Sequence, residues 1–432
     1  MTRLLHRRPA AALLGAVALL ALTACSGQEY PNSTFTHLSD LNTDINNLWD
    51  RLYLLAMIVF VVVEALLLFT IFRFRAKPNA PLPKQIHGSH LLEMVWTAIP
   101  VLILIPLAIP TVKTIFKTQA DAPAGSLQVE VYGHQWWWEF RYPQYGVTTA
   151  NELYLPAGRT VNFTLRTQDV IHSFWTPQLA GKRDLISNKT NHIWYTPDAK
   201  LVEDAFNGFC TEYCGASHAN MRFRVYTTSA ENFEKWAAHQ KNPATGSPAA
   251  TAAQAAADSA AKKAPKAAAV VALPAAAPAT ADEGYVFPKD KLKPHIVPRT
   301  PVPASITFDN GLLAQGDAKA GRELVANPAN MAKAPCLTCH VIRGEMAMVS
   351  DDQAKGPNLT HVASRHTFAA GLFPTSPENL ARWIKNAQVM KPGATMSTFG
   401  LGEYSPMLKA KVTTGLSDKE IADIVAYLTT LK

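Results

Sequence analysis

The sequence is poor in cysteine and in charge. Among 432 residues there are 5 cysteines, and each falls in a short motif, so none remains for a structural disulfide. Charged residues make up 17% of the chain against 48% hydrophobic residues, a balance that indicates membrane segments. The length predicts two or three domains. No basic helix with interleaved aromatic residues is present, so the net charge of +8 does not indicate nucleic-acid binding.

Residues 1–24 are typical of a bacterial export signal, because a basic start precedes an apolar run. Residues 22–25 (LTAC) resemble a lipobox. The sequence therefore predicts a lipoprotein-type signal whose removal leaves a lipidated Cys25. An ordinary signal peptide followed by an incidental cysteine is the alternative.

Two apolar segments follow, Leu52 to Phe72 and Met94 to Phe116. Each approaches the roughly 20 residues that span a bilayer. The loop between them is basic, and the positive-inside rule places it in the cytoplasm. We therefore expect residues 25–117 to comprise an N-terminal segment and two transmembrane helices in the bacterial cytoplasmic (inner) membrane. The mature N-terminus and everything after residue 117 would lie on the periplasmic side.

Beyond the membrane segments the pattern changes twice. Residues 118–241 contain short apolar runs that alternate with period two between turn residues, which predicts an all-β Greek-key sandwich or barrel. Residues 242–304 are rich in Ala, Pro and Lys and are predicted to be a linker. Residues 305–432 are predicted to form a small all-α domain, in which Ser417 and Glu420 have the spacing of a capping box.

The stretch from Cys210 to Met221 concentrates metal-binding side chains. It contains two thiols, the imidazole of His218, a thioether and the carboxylate of Glu212. Soft sulfur and imidazole ligands suit copper. A disulfide or a zinc site is the alternative, but zinc usually takes four Cys or His ligands and rarely a thioether. We therefore predict copper; with one more histidine, the set would hold two coppers bridged by both thiolates.

His172 is the best candidate for that second histidine. It lies between predicted strands, and a β-sandwich can bring it close to the cysteines although 38 residues separate it from Cys210. A structural role within an apolar run is the alternative.

A second motif, Cys-x-x-Cys-His, occupies residues 336–340. It is the attachment signature of c-type haem, in which Cys336 and Cys339 form thioether links and His340 binds the iron. A thioredoxin-like redox pair is the alternative, but the surrounding pattern is not βαβ. The second iron ligand should be a methionine from the loop that contains Met396.

These motifs resemble those of a known family. His172 and the stretch from Cys210 to Met221 are similar to the dinuclear copper-A centre of cytochrome c oxidase subunit II. Residues 132–138 (YGHQWWW) and 92–100 (LEMVWTAIP) are similar to its aromatic loop and to the start of its second transmembrane helix. The resemblance extends from about residue 43 to residue 228 and implies a cupredoxin-like fold for residues 118–241. Residues 184–191 depart from the family pattern, in a loop that would face subunit I.

The resemblance implies a role for each residue of the copper motif. Cys210 and Cys214 would bridge the coppers, and His172 and His218 would bind one copper each. Met221 and the main-chain carbonyl of Glu212 would be weak axial ligands. The side chain of Glu212 would also reach toward a magnesium ion shared with subunit I.

Two further roles are implied outside the copper loop. Trp136 would be the residue at which electrons enter, and a core aromatic residue is the alternative. Glu93 would lie at the mouth of a proton channel in subunit I; an interfacial side chain solvated by lipid headgroups is the alternative.

The C-terminal region resembles class I cytochromes c. Residues 390–397 (MKPGATMS) are similar to the loop that supplies the methionine ligand, and the lysine, glycine and methionine order selects Met396. Ser397 replaces the usual proline, so Met390 and Met407 stay open as alternatives.

A subunit II with a fused cytochrome c domain resembles the caa-type haem-copper oxidases. Electrons would pass from an upstream donor through haem c and copper-A to subunit I, which reduces oxygen to water while protons are pumped. Subunit III is a further expected partner. The alternatives are the copper-A subunit of a nitric oxide reductase and a membrane-tethered electron shuttle without a catalytic partner.

Overall fold

The computed structural model describes residues 30–75, 78, 81, 84–245, 247–249, 284–346 and 348–432. A first unit ends at Ser33, and its described residues form a turn in which Ser33 N–H donates to Tyr30 O (3.1 Å). The second unit begins with two long helices, α1 (Asp40–Arg73) and α2 (His90–Gln119). Both are apolar, exposed and long enough to cross a membrane, which fits the predicted two-span anchor.

The first turns of α1 pack against the following domain. Ser39 caps the helix by accepting from Asn42 N–H (3.0 Å), and its hydroxyl donates to Leu179 O. The Asp40 carboxylate accepts from Thr196 N–H (2.8 Å). These contacts fix the base of the helix on the domain that follows it.

Residues 118–241, the β-domain, contain ten strands among the described residues. They are β1 (Leu127–His134), β2 (Trp137–Tyr142), β3 (Val147–Ala150), β4 (Glu152–Pro156), β5 (Val161–Thr167), β6 (His172–Trp175), β7 (Arg183–Leu185), β8 (Asn191–Tyr195), β9 (Asp204–Cys210) and β10 (Arg222–Thr228). One sheet has the order β3-β2-β1-β5-β8 and the other β4-β10-β9-β6-β7. β1 with β5 and β4 with β10 pair in parallel, and the other neighbours are antiparallel. The predicted all-β sandwich is confirmed.

The core of the β-domain supports the predicted copper site. Alternate residues of β1 are fully buried, as a strand with one face on the core requires. Three aromatic rings meet between the sheets: Trp138 and Phe223 lie 5.4 Å apart, and Phe174 and Phe223 4.9 Å apart. The centre of the Trp138 ring is also 6.2 Å from that of the His172 imidazole, so the aromatic core packs against the side chain of His172.

Two segments extend the β-domain beyond its strands. Helix α3 (Ala230–Lys241) is capped by Ser229 and buries Phe233 and Trp236 against the sandwich. Residues 284–304 fall within the predicted linker, yet Phe287 and Ile296 belong to the same core. This part of the linker therefore packs on the β-domain.

Residues 305–432, the helical domain, form a second core. Its helices are α4 (Asn310–Leu313), α5 (Ala318–Ala326), α6 (Pro377–Met390), which is kinked at Asn386, and α7 (Asp418–Leu428). Ser417 and Glu420 form the predicted capping box. Two short hairpins that the sequence did not indicate pair β11 (Thr367–Phe368) with β12 (Phe373–Pro374) and β13 (Tyr404–Ser405) with β14 (Ala410–Lys411).

Candidate metal and haem sites

The side chains predicted to bind copper lie together at one edge of the β-domain. Cys210 Sγ is 3.8 Å from His172 Nδ1 and 3.7 Å from Cys214 Sγ. Cys214 Sγ is in turn 3.6 Å from His218 Nδ1 and 3.8 Å from Met221 Sδ. The structure therefore brings together five of the side chains that the sequence singled out.

Two neighbouring strands and one loop position this cluster. β6 and β9 pair with Phe174 opposite Cys210, which brings His172 near the end of β9. The loop after β9 places the carbonyl oxygen of Glu212 3.3 Å from Cys210 Sγ and continues into a turn at His218–Asn220. His172 was expected between strands; it instead begins β6, because it pairs with β7.

A carboxylate that the sequence analysis did not single out orients His172. Asp169 Oδ1 is 2.7 Å from His172 Nε2, so Nδ1 faces Cys210. Burial lowers the pKa of His172, but the bonds to Asp169 and Cys210 outweigh it and the pKa is raised. A Cβ at Gly133 would come within 2.6 Å of the imidazole, so only glycine leaves room for the ring. Metal-binding histidines commonly have such a second partner.

The contact between the two thiols favours one thiolate over two. The bond from Cys214 lowers the pKa of Cys210, because a thiol donor stabilises the adjacent thiolate. The same contact raises the pKa of Cys214, since a second thiolate would lie against the first. A cation between the sulfurs would remove this repulsion. The buried cluster of His172 and the two cysteines, with its soft donors, therefore fits copper.

Trp136 joins the copper loop to the helical domain. Its indole Nε1 donates to Cys214 O (2.9 Å), and its own carbonyl accepts from Lys391 Nζ. A second link crosses the same boundary, where Ser217 Oγ donates to Pro392 O. The predicted electron-entry residue thus touches both the copper loop and the segment that precedes Met396.

A cavity of about 670 Å³ is lined by residues of both domains. The helical domain contributes Cys336, Cys339, His340, Met396, Trp383 and Ile384, among others. The β-domain contributes His134, Trp136 and Trp137, among others. The cavity has the size of a cofactor site. Cys336 and Cys339 line it, so its residues fit a covalently attached haem.

His340 is prepared for binding iron through one nitrogen. Its Nδ1 donates to Pro357 O (2.7 Å), which leaves Nε2 available. Burial lowers the pKa of His340 and so favours the neutral imidazole, the form that binds metals. A Cβ at Gly356 would come within 2.5 Å of this ring. Burial also raises the pKa of Cys336 to about 11, which keeps the thiol protonated.

The three candidate methionines occupy different environments. Met396 is half-buried and, of the three, is the one that lines the cavity. Met390 is buried in the core of the helical domain, and Met407 is 57% exposed. The environments favour Met396.

Three predicted features remain: Glu93 in the membrane segment, the side chain of Glu212 in the copper loop, and Cys25. Glu93 is half-exposed in the first turn of α2, and one carboxylate oxygen is 3.7 Å from His90 Nδ1. Glu212 is half-buried beside Tyr213, which is 74% exposed. Cys25 lies outside the described residues. The four described cysteines are free.

Comparison with known families covers the same regions. The family model for the transmembrane domain of cytochrome c oxidase subunit II matches residues 35–114, and that for its periplasmic domain matches residues 146–228. The cytochrome c family model matches residues 318–432. The second range contains the copper cluster, and the third contains the haem motif and Met396. The two domains accordingly suggest copper-A and haem c as cofactors.

Two relatives align with most of this chain. Cytochrome c oxidase subunit 2 of Alkalihalophilus pseudofirmus is 27% identical over 422 residues, covering 96% of this chain and 94% of its own. That of Bacillus subtilis is 30% identical over 382 residues, covering 84% and 82%. The solved periplasmic domain of subunit II of cytochrome oxidase of Bradyrhizobium japonicum is 26% identical and covers 28% of this chain and 97% of its own, with a TM-score of 0.27. The chain belongs to the cytochrome c oxidase subunit II family, in the form that carries a cytochrome c domain, and is a component of the oxidase.

Proposed function

We propose that this chain is the electron-entry subunit of a proton-pumping terminal oxidase. Electrons would pass from a donor by way of haem c and copper-A to the haem-copper centre of subunit I, where oxygen is reduced to water. The two-site architecture of the chain supports this order, because the haem-type cavity and the copper-type cluster lie on either side of Trp136.

The position of Trp136 carries the proposal. Its indole N–H holds the carbonyl of Cys214, and its side chain lines the cavity that contains the haem motif. A single aromatic side chain therefore spans the boundary between the two sites. The bond from Lys391 to its main-chain carbonyl keeps that side chain in place.

The predicted ligands would hold two coppers. Cys210 and Cys214 would bridge them, His172 and His218 would bind one each, and Met221 and the carbonyl of Glu212 would complete the set. When bound, the dinuclear centre spreads one electron over both metals. The protein's part is to keep the donors rigid, which Asp169 and Gly133 do for His172.

In the helical domain, Cys336 and Cys339 would attach the haem, and His340 and Met396 would be its axial ligands. The hydrogen bond from His340 to Pro357 O orients the imidazole for this role. We place this domain at residues 305–432, after the β-domain at 118–241 and the linker at 242–304.

Several roles concern the membrane and the partner subunits. Glu93 would lie at the cytoplasmic mouth of a proton channel in subunit I, and Glu212 would reach a shared magnesium ion. Subunit III would complete the complex. Cys25 would carry the lipid after removal of residues 1–24. The half-exposed carboxylate of Glu93, at the start of α2, supports the first of these roles.

The substitution Trp136→Phe tests the electron route in the purified oxidase complex. We expect the transfer from haem c to copper-A, followed by flash photolysis, to slow by at least tenfold at unchanged copper and haem content. The matched control is Trp137→Phe, because Trp137 also lines the cavity but stacks on His134, 4.1 Å away. Equal rates in both variants would disprove the role of Trp136.

Two other functions predict different measurements. A nitric oxide reductase complex would consume nitric oxide and not oxygen, and a tethered shuttle would purify without a polytopic haem-containing chain. We expect the purified complex to contain such a chain and to consume oxygen. The relatives named cytochrome c oxidase subunit 2 support this expectation.

A further inference from the structure

A buried carboxylate of the β-domain is bound by the backbone of the helical domain. Glu152, on β4, is 2% exposed. Its Oε1 accepts from His366 N–H (2.9 Å), from Thr367 N–H (2.8 Å) and from Thr367 Oγ1 (3.1 Å). Hydrogen bonds to a charged group are roughly twice as strong as neutral ones. The binding partner is a loop of residues 366–371, which we call the docking loop.

A buried cation stands beside this carboxylate and binds the other end of the docking loop. Arg224, on β10, is the register partner of Glu152 and is 3% exposed. Its Nη2 donates to Gly371 O (3.1 Å). A main-chain bond from Arg222 N–H to Ala370 O (3.2 Å) lies between the two side-chain contacts. Opposite charges on adjacent strands thus bind opposite ends of one loop.

Further contacts surround the docking loop. His366 Nε2 lies 2.8 Å from Phe287 O, in the packed part of the linker. Arg365, which precedes the loop, is half-buried: burial lowers its pKa to about 10, and the charge of Glu152 opposes that shift. If the helical domain moved away, the buried charges would lose these partners, and replacing such partners is costly.

We propose that Glu152 and Arg224 form a docking site for residues 366–371 of the same chain, and that this site holds the helical domain in a fixed position against the β-domain. The haem cavity then stays against Trp136 during turnover, and the domain does not swing between a donor and the copper site. The benefit for electron transfer rests on the proposed function, but the docking itself does not.

Amide hydrogen exchange on the full-length protein tests the docking directly. In Glu152→Ala we expect the amides of His366 and Thr367 to exchange at least tenfold faster, because their acceptor is gone. In Glu152→Gln, which retains an acceptor oxygen without the charge, the increase should be smaller. The matched control is Glu130→Ala, whose half-buried carboxylate accepts from Tyr132 OH within the β-domain. Exchange within twofold of the wild type in Glu152→Ala would overturn the proposal.

A double-mutant cycle separates docking from a general loss of structure. Thr367→Val removes one donor to Glu152 from the opposite domain. Because the two side chains share one contact, Thr367→Val should accelerate exchange about threefold in the wild type and less than twofold in Glu152→Ala. If the two substitutions raised the exchange rate independently, so that their factors multiplied, the docking contact would be contradicted.

Inserting 20 Gly and Ser residues between Thr300 and Pro301 tests whether the domain is fixed. With docking intact, the insertion should change the rate of haem-to-copper electron transfer less than twofold. In Glu152→Ala the insertion should lower this rate, because the effective concentration of an undocked domain depends on linker length. A wild-type rate that falls with insertion would overturn the proposal. If the wild type showed no such transfer, the proposed function would fail, and the exchange experiment would still decide the docking.

Discussion

The predicted copper ligands and the predicted haem ligands are arranged differently. In the β-domain, neighbouring ligand atoms lie 3.3 to 3.8 Å apart, so the site is a close cluster. In the helical domain, the ligands surround a cavity of about 670 Å³. Metal ions need only a small space between donors, whereas a macrocycle needs a volume. Each arrangement therefore reflects the size of what it would hold.

The two sites also differ in how much each depends on the other domain. Strands and one loop of the β-domain supply every predicted copper ligand. The haem cavity, in contrast, takes part of its wall from His134, Trp136 and Trp137 of the β-domain. Substitutions at the copper site should consequently affect mainly copper binding. Substitutions at the domain boundary should affect the haem site before the copper site.

The largest expected effect is the loss of one cofactor without the other. Cys210→Ser should reduce the copper content from two per chain to below about a tenth of that value, because a bridging thiolate is lost. Haem content should be unchanged. Metal analysis and haem staining of the purified protein measure both. Cys336→Ser is the reciprocal control and should weaken haem attachment at full copper content; copper retained in Cys210→Ser would contradict the assignment.

Substitution of the three methionines should separate ligation from packing. Met396→Ala should abolish the sulfur-to-iron absorption band, because Met396 lines the cavity. Met390→Ala should keep the band but destabilise the helical domain by about 2–5 kcal/mol, as buried Met-to-Ala changes do. Met407→Ala should do neither, since that side chain is 57% exposed. Loss of the band in Met390→Ala with a stable fold would reverse the assignment.

A smaller effect is expected when Asp169, whose carboxylate bonds to His172, is replaced. Asp169→Asn should weaken copper binding about 10- to 100-fold, the usual cost of losing such a partner, without loss of folding. Competition with a copper chelator measures the affinity. Asp198→Asn is the control, because the Asp198 carboxylate accepts from Lys200 N–H (2.8 Å) in a turn away from the copper cluster. Equal affinities would mean that the β-sheet alone orients the imidazole.

The smallest expected effect concerns pH at the domain boundary. Burial, and then the neighbouring His239, lower the pKa of His361 from 6.5 to about 4. The unfolded chain then binds more protons than the folded one between these values, so stability rises with pH there and is complete above 6.5. The slope should not exceed about 1.4 kcal/mol per pH unit.

Thermal unfolding followed at the haem absorption measures this slope. Below pH 6.5 the midpoint should fall in the wild type and remain flatter in His361→Gln. The copper spectrum should change less than the haem spectrum over the same range, because His361 lies in the helical domain and contacts Asn242 O (3.0 Å) at its boundary. A slope that persists in His361→Gln would assign it to another group.

The sequence was sufficient to predict which side chains cluster in the β-domain, because most of them lie within twelve residues of one another. It did not identify Asp169, although this residue stands three positions before His172, because the direction of an imidazole ring is a property of the folded sheet. The order of lysine, glycine and methionine favours Met396, but Ser397 leaves Met390 and Met407 open, so the cavity adds what the sequence lacks.

The domain boundary was the least predictable part of the molecule. The docking loop binds Glu152 mainly through backbone N–H groups, which every residue but proline carries, so no side-chain pattern marks it. The packed part of the linker was hidden for a related reason: Phe287 and Ile296 are isolated apolar residues in a polar segment, without the periodicity that predicts a buried element.

That packing sets how far the helical domain can travel. Ile296 is buried in the β-domain. The half-buried Val302 and the buried Ile306 pack in the core of the helical domain, so the anchors of the two domains are separated by at most ten positions. Fully extended, ten residues reach about 33–36 Å. The alanine-rich run before residue 284 adds nothing to this distance while Phe287 and Ile296 remain in place. The part of the linker that limits the movement of the domain is thus at most about a sixth of the 63 residues assigned to the linker from composition.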